Sequence, residues 1–282
     1  SYNMNKVLKL PENGNYKNRM NGTLFADDYY AGIGGIAEGE RLYSVIGYKV
    51  SHILDNDKAA SEAMYDERAA GYDPVTQTYE KGRKIAGDYE WVDKDGSGTI
   101  TAKDQFVLGY LVPTTTGGFN TTVKIRDFEI YASFDYALGH VIYDRQISLV
   151  NSGAQSGYLN PTKDVLNYWS VPGDAAKTRY ARFDVEDGSD NGQWNHYRTS
   201  DENTYKGDYL SFRELKVSYN FPRTILNKTQ IKAAQVYFSG QNIYCFSQYP
   251  GYMTEYSSAS RNLSDGNYPQ PRIWTLGLNL TF

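Results

Sequence analysis

Ile273-Trp274-Thr275-Leu276-Gly277-Leu278-Asn279-Leu280-Thr281-Phe282 alternates almost without fault. In an extended strand successive side chains point to opposite faces. Trp274, Leu276, Leu278, Leu280 and Phe282 therefore share one face, and Ile273, Thr275, Gly277, Asn279 and Thr281 the other. A run of about ten residues, tilted, is long enough to cross a bilayer. Strands of soluble sheets run about five or six. The pattern predicts a membrane-spanning strand over 271–282, with Phe282 at an outward position as its assembly signal.

The same period appears on both sides of a tight turn at 119–138. Phe119, Thr121, Val123 and Ile125 alternate with Asn120, Thr122, Lys124 and Arg126. After Asp127, the residues Phe128, Ile130, Ala132, Phe134, Tyr136 and Leu138 face one way, and Glu129, Tyr131, Ser133 and Asp135 the other. One face carries no charge, which predicts a hairpin with oil outside and water inside. Leu215, Val217, Tyr219 and Phe221 continue the theme, as do Val236 and Phe238. Leu210 and Phe212 lie on the opposite parity to Leu215, so a bulge or membrane exit is expected at Arg213–Glu214.

Connections alternate in length. Those near Asp127 and at 222–233 are short; 139–208 and 247–270 are long and rich in Gly, Asn, Asp and Tyr. Short turns at one end and long loops at the other characterise bacterial outer-membrane barrels. The expected organisation is the end of a barrel strand at 1–10, an extracellular loop region at 11–114, and a barrel hairpin at 115–138. A long extracellular loop follows at 139–208, a second hairpin at 209–246, a loop at 247–270 and the terminal strand at 271–282. Within the first loop region, 41–54 reads as a strand above the membrane and 59–70 as a short helix. Roughly six strands fall below the eight or so that close the smallest transmembrane barrels. An open edge in lipid costs several kcal/mol per unpaired backbone group, so the chain is expected to be a C-terminal piece that needs upstream strands.

Composition agrees. Of 282 residues 27 are Tyr, 11 Phe and 4 Trp, well above ordinary aromatic usage, yet mean hydropathy is −0.62. Placing apolar residues at alternate positions reconciles the two. No run approaches the roughly 18 apolar residues of a membrane-spanning helix. With 29 basic against 33 acidic residues the net charge is −4, and no basic patch suggests nucleic acid. A lone Cys245 excludes an internal disulfide framework.

One motif carries specific chemistry. Asp93-Lys94-Asp95-Gly96-Ser97-Gly98-Thr99-Ile100-Thr101-Ala102-Lys103-Asp104 follows the twelve-residue EF-hand-type loop. Asp93, Asp95 and Ser97 take positions 1, 3 and 5, Thr99 offers its carbonyl at 7, Thr101 stands at 9, and Asp104 closes at 12. Gly98 fills the position where the turn demands glycine, and Ile100 anchors the loop. Asp104 in place of Glu reaches less easily for bidentate contact, so the expected cation is calcium or magnesium in a structural role. An acidic turn without an ion is the bland alternative.

Elsewhere the signals are weak. His52, His140 and His196 share no ligand or triad spacing, Gly32-Ile33-Gly34-Gly35 lacks the Lys of a phosphate loop, and no catalytic constellation points to an enzyme. Most aromatics of 139–208 serve packing or the membrane interface. Trp194 and Tyr197, with Arg198 beside them, are the candidate ligand contacts.

Longer stretches resemble a family. Residues 5–10 (NKVLKL), 87–92 (GDYEWV) running into the acidic loop, 103–109 (KDQFVLG), 207–215 (GDYLSFREL), 219–222 (YNFP), 236–242 (VYFSGQN), 251–252 (GY) and 268–272 (YPQPR) are similar, in order and spacing, to the C-terminal portion of SusC/RagA-type TonB-dependent outer-membrane transporters. Glu214 and Ser218 stand where such proteins often carry Asn and Gly. The resemblance implies an all-β fold, the C-terminal part of a 22-stranded transmembrane antiparallel barrel with a plug encoded upstream. It further implies import of oligosaccharides or peptides across the outer membrane of a Bacteroidetes-like bacterium. Implied partners are a SusD-like surface lipoprotein and, through the plug, the TonB complex. The competing class is a soluble, calcium-stabilised glycan-binding or adhesin module.

Overall fold

The computed structural model describes residues 1–10, 37–73, 75–144, 147, 160–183, 196, 198–227, 229–251 and 270–282. Among these residues eight short strands come first: β1 (Ser44–Gly47), β2 (Val50–Ile53), β3 (Tyr65–Asp66), β4 (Ala70–Asp73), β5 (Thr78–Lys81), β6 (Tyr89–Trp91), β7 (Thr99–Ile100) and β8 (Phe106–Tyr110). The long β9 (Thr115–Ile125) and β10 (Phe128–Leu138) follow, then the short β11 (Val141–Tyr143) and β12 (Thr204–Lys206). The long β13 (Tyr209–Asn220), β14 (Ala233–Ser247) and β15 (Ile273–Thr281) end the series. The short helices α1 (Asp57–Ser61) and α2 (Arg223–Leu226) interrupt it. No helix among the described residues is long and apolar enough to cross a membrane.

The five long strands form one antiparallel sheet in the order β15-β14-β13-β10-β9. A two-residue turn at Arg126–Asp127 joins β9 to β10, with Arg126 at φ 54°. The apolar side chains collect on one face. Phe119, Phe134 and Phe212 stack in a row across three strands, their centroids 4.9 and 4.6 Å apart. Trp274 lies flat over Phe238 at 5.4 Å and covers Gly240, where a Cβ would sit 2.3 Å from the indole. A ring shielding a strand glycine in this way pins register.

Arg213 marks the bulge: register slips between Phe212 and Glu214, where β13 sets two residues against one of β10. The slip returns Leu210 and Phe212 to the same face as Leu215 and Val217, so the apolar surface is continuous along β13. Arg213 itself pairs with Asp135 on the polar face.

That apolar surface packs on nothing among the described residues. Leu276 is 76% exposed, Leu278 60% and Phe282 72%, and Phe119, Ile125, Phe128 and Phe246 are each at least half exposed. The buried cores lie elsewhere, in the region of short strands. Tyr48, Ile53, Tyr89, Trp91, Ile100 and Ala181 make one cluster, and Val45, Leu111 and Tyr143 another. Among the described residues β9 and β15 pair along one side only, save a bridge from Tyr2 to Thr115.

Three expectations need correction. Residues 1–10 touch the sheet only through Ser1–Asn3 at the start of β9, after which Val7 bonds to Gly39 and Glu40. The strand over 41–54 is two: Tyr48 breaks it by bridging to Ser200. The helix over 59–70 is the five-residue α1, capped by the Asn56 side chain on the Ala59 N–H at 3.0 Å. It buries no residue, so propensity alone sustains only a turn or so. Beyond it Asp66 is drawn into β3, parallel to β7, where its carboxylate has a buried partner.

Candidate functional site

The acidic loop spans β6 to the short turn Ala102–Asp104. Gly96 and Gly98 adopt φ of 72° and 76°, the left-handed region where a side chain is strained. That curl lets Asp93 accept backbone N–H bonds from Gly96 at 2.8 Å and Gly98 at 2.8 Å. The Gly98 bond foremost, then those from Gly96 and Ser97, hold the Asp93 carboxyl below its ordinary range. Asp104 is fully buried and accepts from Lys94 and Thr101 N–H, each at 2.8 Å. Carboxylate oxygens of Asp93, Asp95 and Asp104 lie within 4.8 Å of one another. No Lys or Arg pairs with these three among the described residues. Hard oxygen donors gathered without a neutralising side chain suit a divalent cation. Ser97 Oγ donates to the Thr99 carbonyl at 3.0 Å, and Thr101 Oγ1 accepts from Lys103 N–H at 3.2 Å.

Behind the loop lies a set of buried ion pairs. The Arg198 guanidinium meets Asp66 with both nitrogens, at 2.8 and 3.3 Å, and both side chains are sealed from solvent. It also lies 4.7 Å from the Trp91 ring centroid and 5.0 Å from that of Tyr48. Lys84 reaches Glu90 at 2.5 Å. Asp88 accepts from Arg182 Nε at 2.6 Å and meets His196 Nε2 at 3.1 Å. Burial pushes the Asp88 carboxyl up, but Arg182 and His196 outweigh it and bring it down to about 2. The first pair ties Arg198 onto β3, and the Asp88 pairs tie Arg182 and His196 to the residue just before β6.

Arg198 is therefore a correction: a side chain clamped between a carboxylate and two rings cannot reach a ligand. Trp194 and Tyr197 lie outside the described residues. Sequence spacing missed instead an open pocket of about 60 Å³ lined by Tyr89, Tyr168, Tyr180, Tyr205, Arg182 and Glu202. Tyr168 and Tyr180 stack 5.0 Å apart. Arg179 places Nε and one terminal nitrogen on the same Glu202 oxygen, at 2.9 and 2.8 Å. Burial pushes the Tyr168, Tyr205 and Glu202 groups up. The aromatic density of 139–208 was the visible signal, but nothing local could have added Tyr89 or Glu202.

A sheet with an unpacked apolar face, a polar reverse face and all long connections at one end has the build of a transmembrane β-barrel wall. Comparison with known proteins agrees. No family model matches the chain. It is 27% identical over 300 residues to TonB-dependent receptor P3 of Formosa agariphila, covering all of this chain and 26% of that protein. It is 25% identical over 209 residues to TonB-dependent receptor P26 of the same organism, covering 71% of this chain and 20% of that one. In fold it matches the RagAB peptide transporter, with TM-score 0.68, 20% identity, all of this chain and 26% of that one. The RagAB peptide importer in its closed-closed state gives 0.65 at 18% identity over the same shares. The chain is thus similar to part of a SusC/RagA-like TonB-dependent receptor, and spans about a quarter of the relatives it matches.

Proposed function

We propose that this chain forms wall and outward loops of an outer-membrane importer for oligosaccharides or peptides in a Bacteroidetes-like bacterium. The observation that carries the reading is the continuous exposed apolar face of the five-stranded sheet, too large for a surface in water. That face also opposes the soluble adhesin reading. The half-paired edges β9 and β15 support closure by strands of a longer polypeptide, 22 in all with a plug inside. A SusD-like lipoprotein over the loops and TonB coupling through the plug complete the proposal. No catalytic role belongs to it: the relatives carry receptor and transporter names. The test is fractionation and growth. The complete gene product should require detergent for extraction, and deleting its gene should abolish growth on the imported nutrient alone. A product soluble without detergent would defeat the reading.

Asp93, Asp95, Ser97, Thr99, Thr101 and Asp104 are proposed to hold one calcium or magnesium ion as a structural staple. Millimolar calcium should raise the thermal midpoint of the detergent-solubilised protein and slow protease cutting near residue 96, and Asp93→Ala should remove both effects. Unchanged cutting with calcium or with a chelator would count against the ion. Phe282 is 72% exposed just beyond β15, which supports its role in assembly. Its deletion should lower outer-membrane levels several-fold; normal levels would refute that role.

A further inference from the structure

The tyrosine pocket gathers polar groups that the fold leaves open to solvent. The hydroxyls of Tyr168, Tyr180 and Tyr205 have no hydrogen-bond partner among the described residues, and neither has Oε1 of Glu202, since Arg179 takes Oε2 alone. Tyr89 differs: its hydroxyl donates to the Arg179 carbonyl at 3.1 Å and helps to fix the pocket floor. Three phenols and a carboxylate oxygen thus surround one open space without bonding to the protein. These residues are only half-buried, so water satisfies their oxygens, and a guest that carries its own hydroxyls can replace that water bond for bond.

The pocket's charges are already balanced. Arg179 neutralises Glu202, and Arg182 neutralises Asp88. An anionic guest would meet the open Glu202 oxygen, and a cationic guest would meet Arg182 in the pocket wall and a Glu202 already paired with Arg179. A neutral guest with several hydroxyls suits both, because phenols donate or accept while Glu202 Oε1 accepts. The stacked rings of Tyr168 and Tyr180 offer apolar surface for the carbon-bound hydrogens of such a guest, which a peptide amide does not need. A pocket of about 60 Å³ holds a few waters or the hydroxylated edge of one ring, not a whole ligand.

We propose that Tyr168, Tyr180, Tyr205 and Glu202 form a subsite for one uncharged sugar residue of an oligosaccharide. This rests on the importer reading and narrows its substrate to neutral glycans. Ordering those hydroxyls by displacing loosely held water is the source of affinity, and the neutral charge balance is the source of selection against uronic and sulfated sugars.

The test uses the complete gene product in detergent, probed on an array of neutral, uronic-acid and sulfated oligosaccharides and against a tryptic peptide digest. The expected result is binding to at least one neutral glycan, about tenfold or more weaker in the Tyr168→Phe/Tyr205→Phe double variant. Those substitutions keep both rings and remove hydroxyls that bond to no described residue, so the thermal midpoint should stay unchanged; a merely structural role would shift it. Glu202→Gln keeps the shape and should weaken the same glycan. Binding only to charged glycans or to peptides, no binding to any neutral glycan, or neutral-glycan binding indifferent to the double variant overturns the subsite. Any of these results leaves detergent-dependent extraction and nutrient-dependent growth intact, so failure here is separable from failure of the importer reading.

Discussion

Arg198→Ala should destabilise the region of short strands by about 3–5 kcal/mol, because it strands the buried Asp66 carboxylate without its partner. The loss includes the stacking of the guanidinium between Tyr48 and Trp91. Three further contacts hang from the same place: the Tyr48–Ser200 bridge, the Tyr48 N–H to Thr199 carbonyl bond at 2.9 Å, and the Val50 N–H to Asp201 bond at 3.0 Å. Protease cutting near 196–203 in the detergent-solubilised protein should therefore rise sharply while the five-stranded sheet stays protected. Removing both charges, as Asp66→Leu with Arg198→Met, should restore much of the loss, since a buried ion pair contributes little over apolar side chains of like volume. A variant as resistant as the parent at 196–203 would show that the pair is dispensable.

The second large effect concerns the outward face. Leu278 sits mid-strand in β15 opposite Val236 and is 60% exposed. If that exposure is to lipid, Leu278→Arg costs about 2–4 kcal/mol near the bilayer midplane. Thr275→Arg, on the reverse face, should be tolerated because that side meets water or the barrel interior. The measurement is the fraction of outer-membrane protein that migrates faster on gels before heating than after. Leu278→Arg should reduce it severely and Thr275→Arg hardly at all. Equal tolerance of both would mean that the face does not meet lipid, because in water an arginine there would be harmless.

The pairing of these two residues shows why part of the architecture was legible from residue order. Alternation is a local property: a strand's two faces follow from parity alone, so Trp274 to Phe282 declare an oily side before any partner is known. The parity change between Phe212 and Leu215 was readable on the same ground and coincides with the register slip at Arg213. The acidic loop was readable because its oxygens and glycines fall within twelve consecutive residues; Asp93, Asp95 and Asp104 meet in space as their spacing implied. Helix propensity misled at 59–70, where Lys58, Ala59 and Ala60 favour a helix but no apolar stripe follows to bury it. Arg198 misled for a different reason. A guanidinium beside aromatic residues suits ligand binding and buried stacking equally well, and only the position of Asp66 decides between them.

From its residues alone this chain declares an alternating oily wall and a loop of converging oxygens, because both depend on neighbours in sequence. Folding in three dimensions decided the rest. Asp66 and Arg198 are separated by 132 positions, and the tyrosine pocket gathers Tyr89, Tyr168 and Glu202 from three separate stretches. Contacts of that range follow from which short strands pair and which charges must be buried together, and no local period in the sequence encodes that choice.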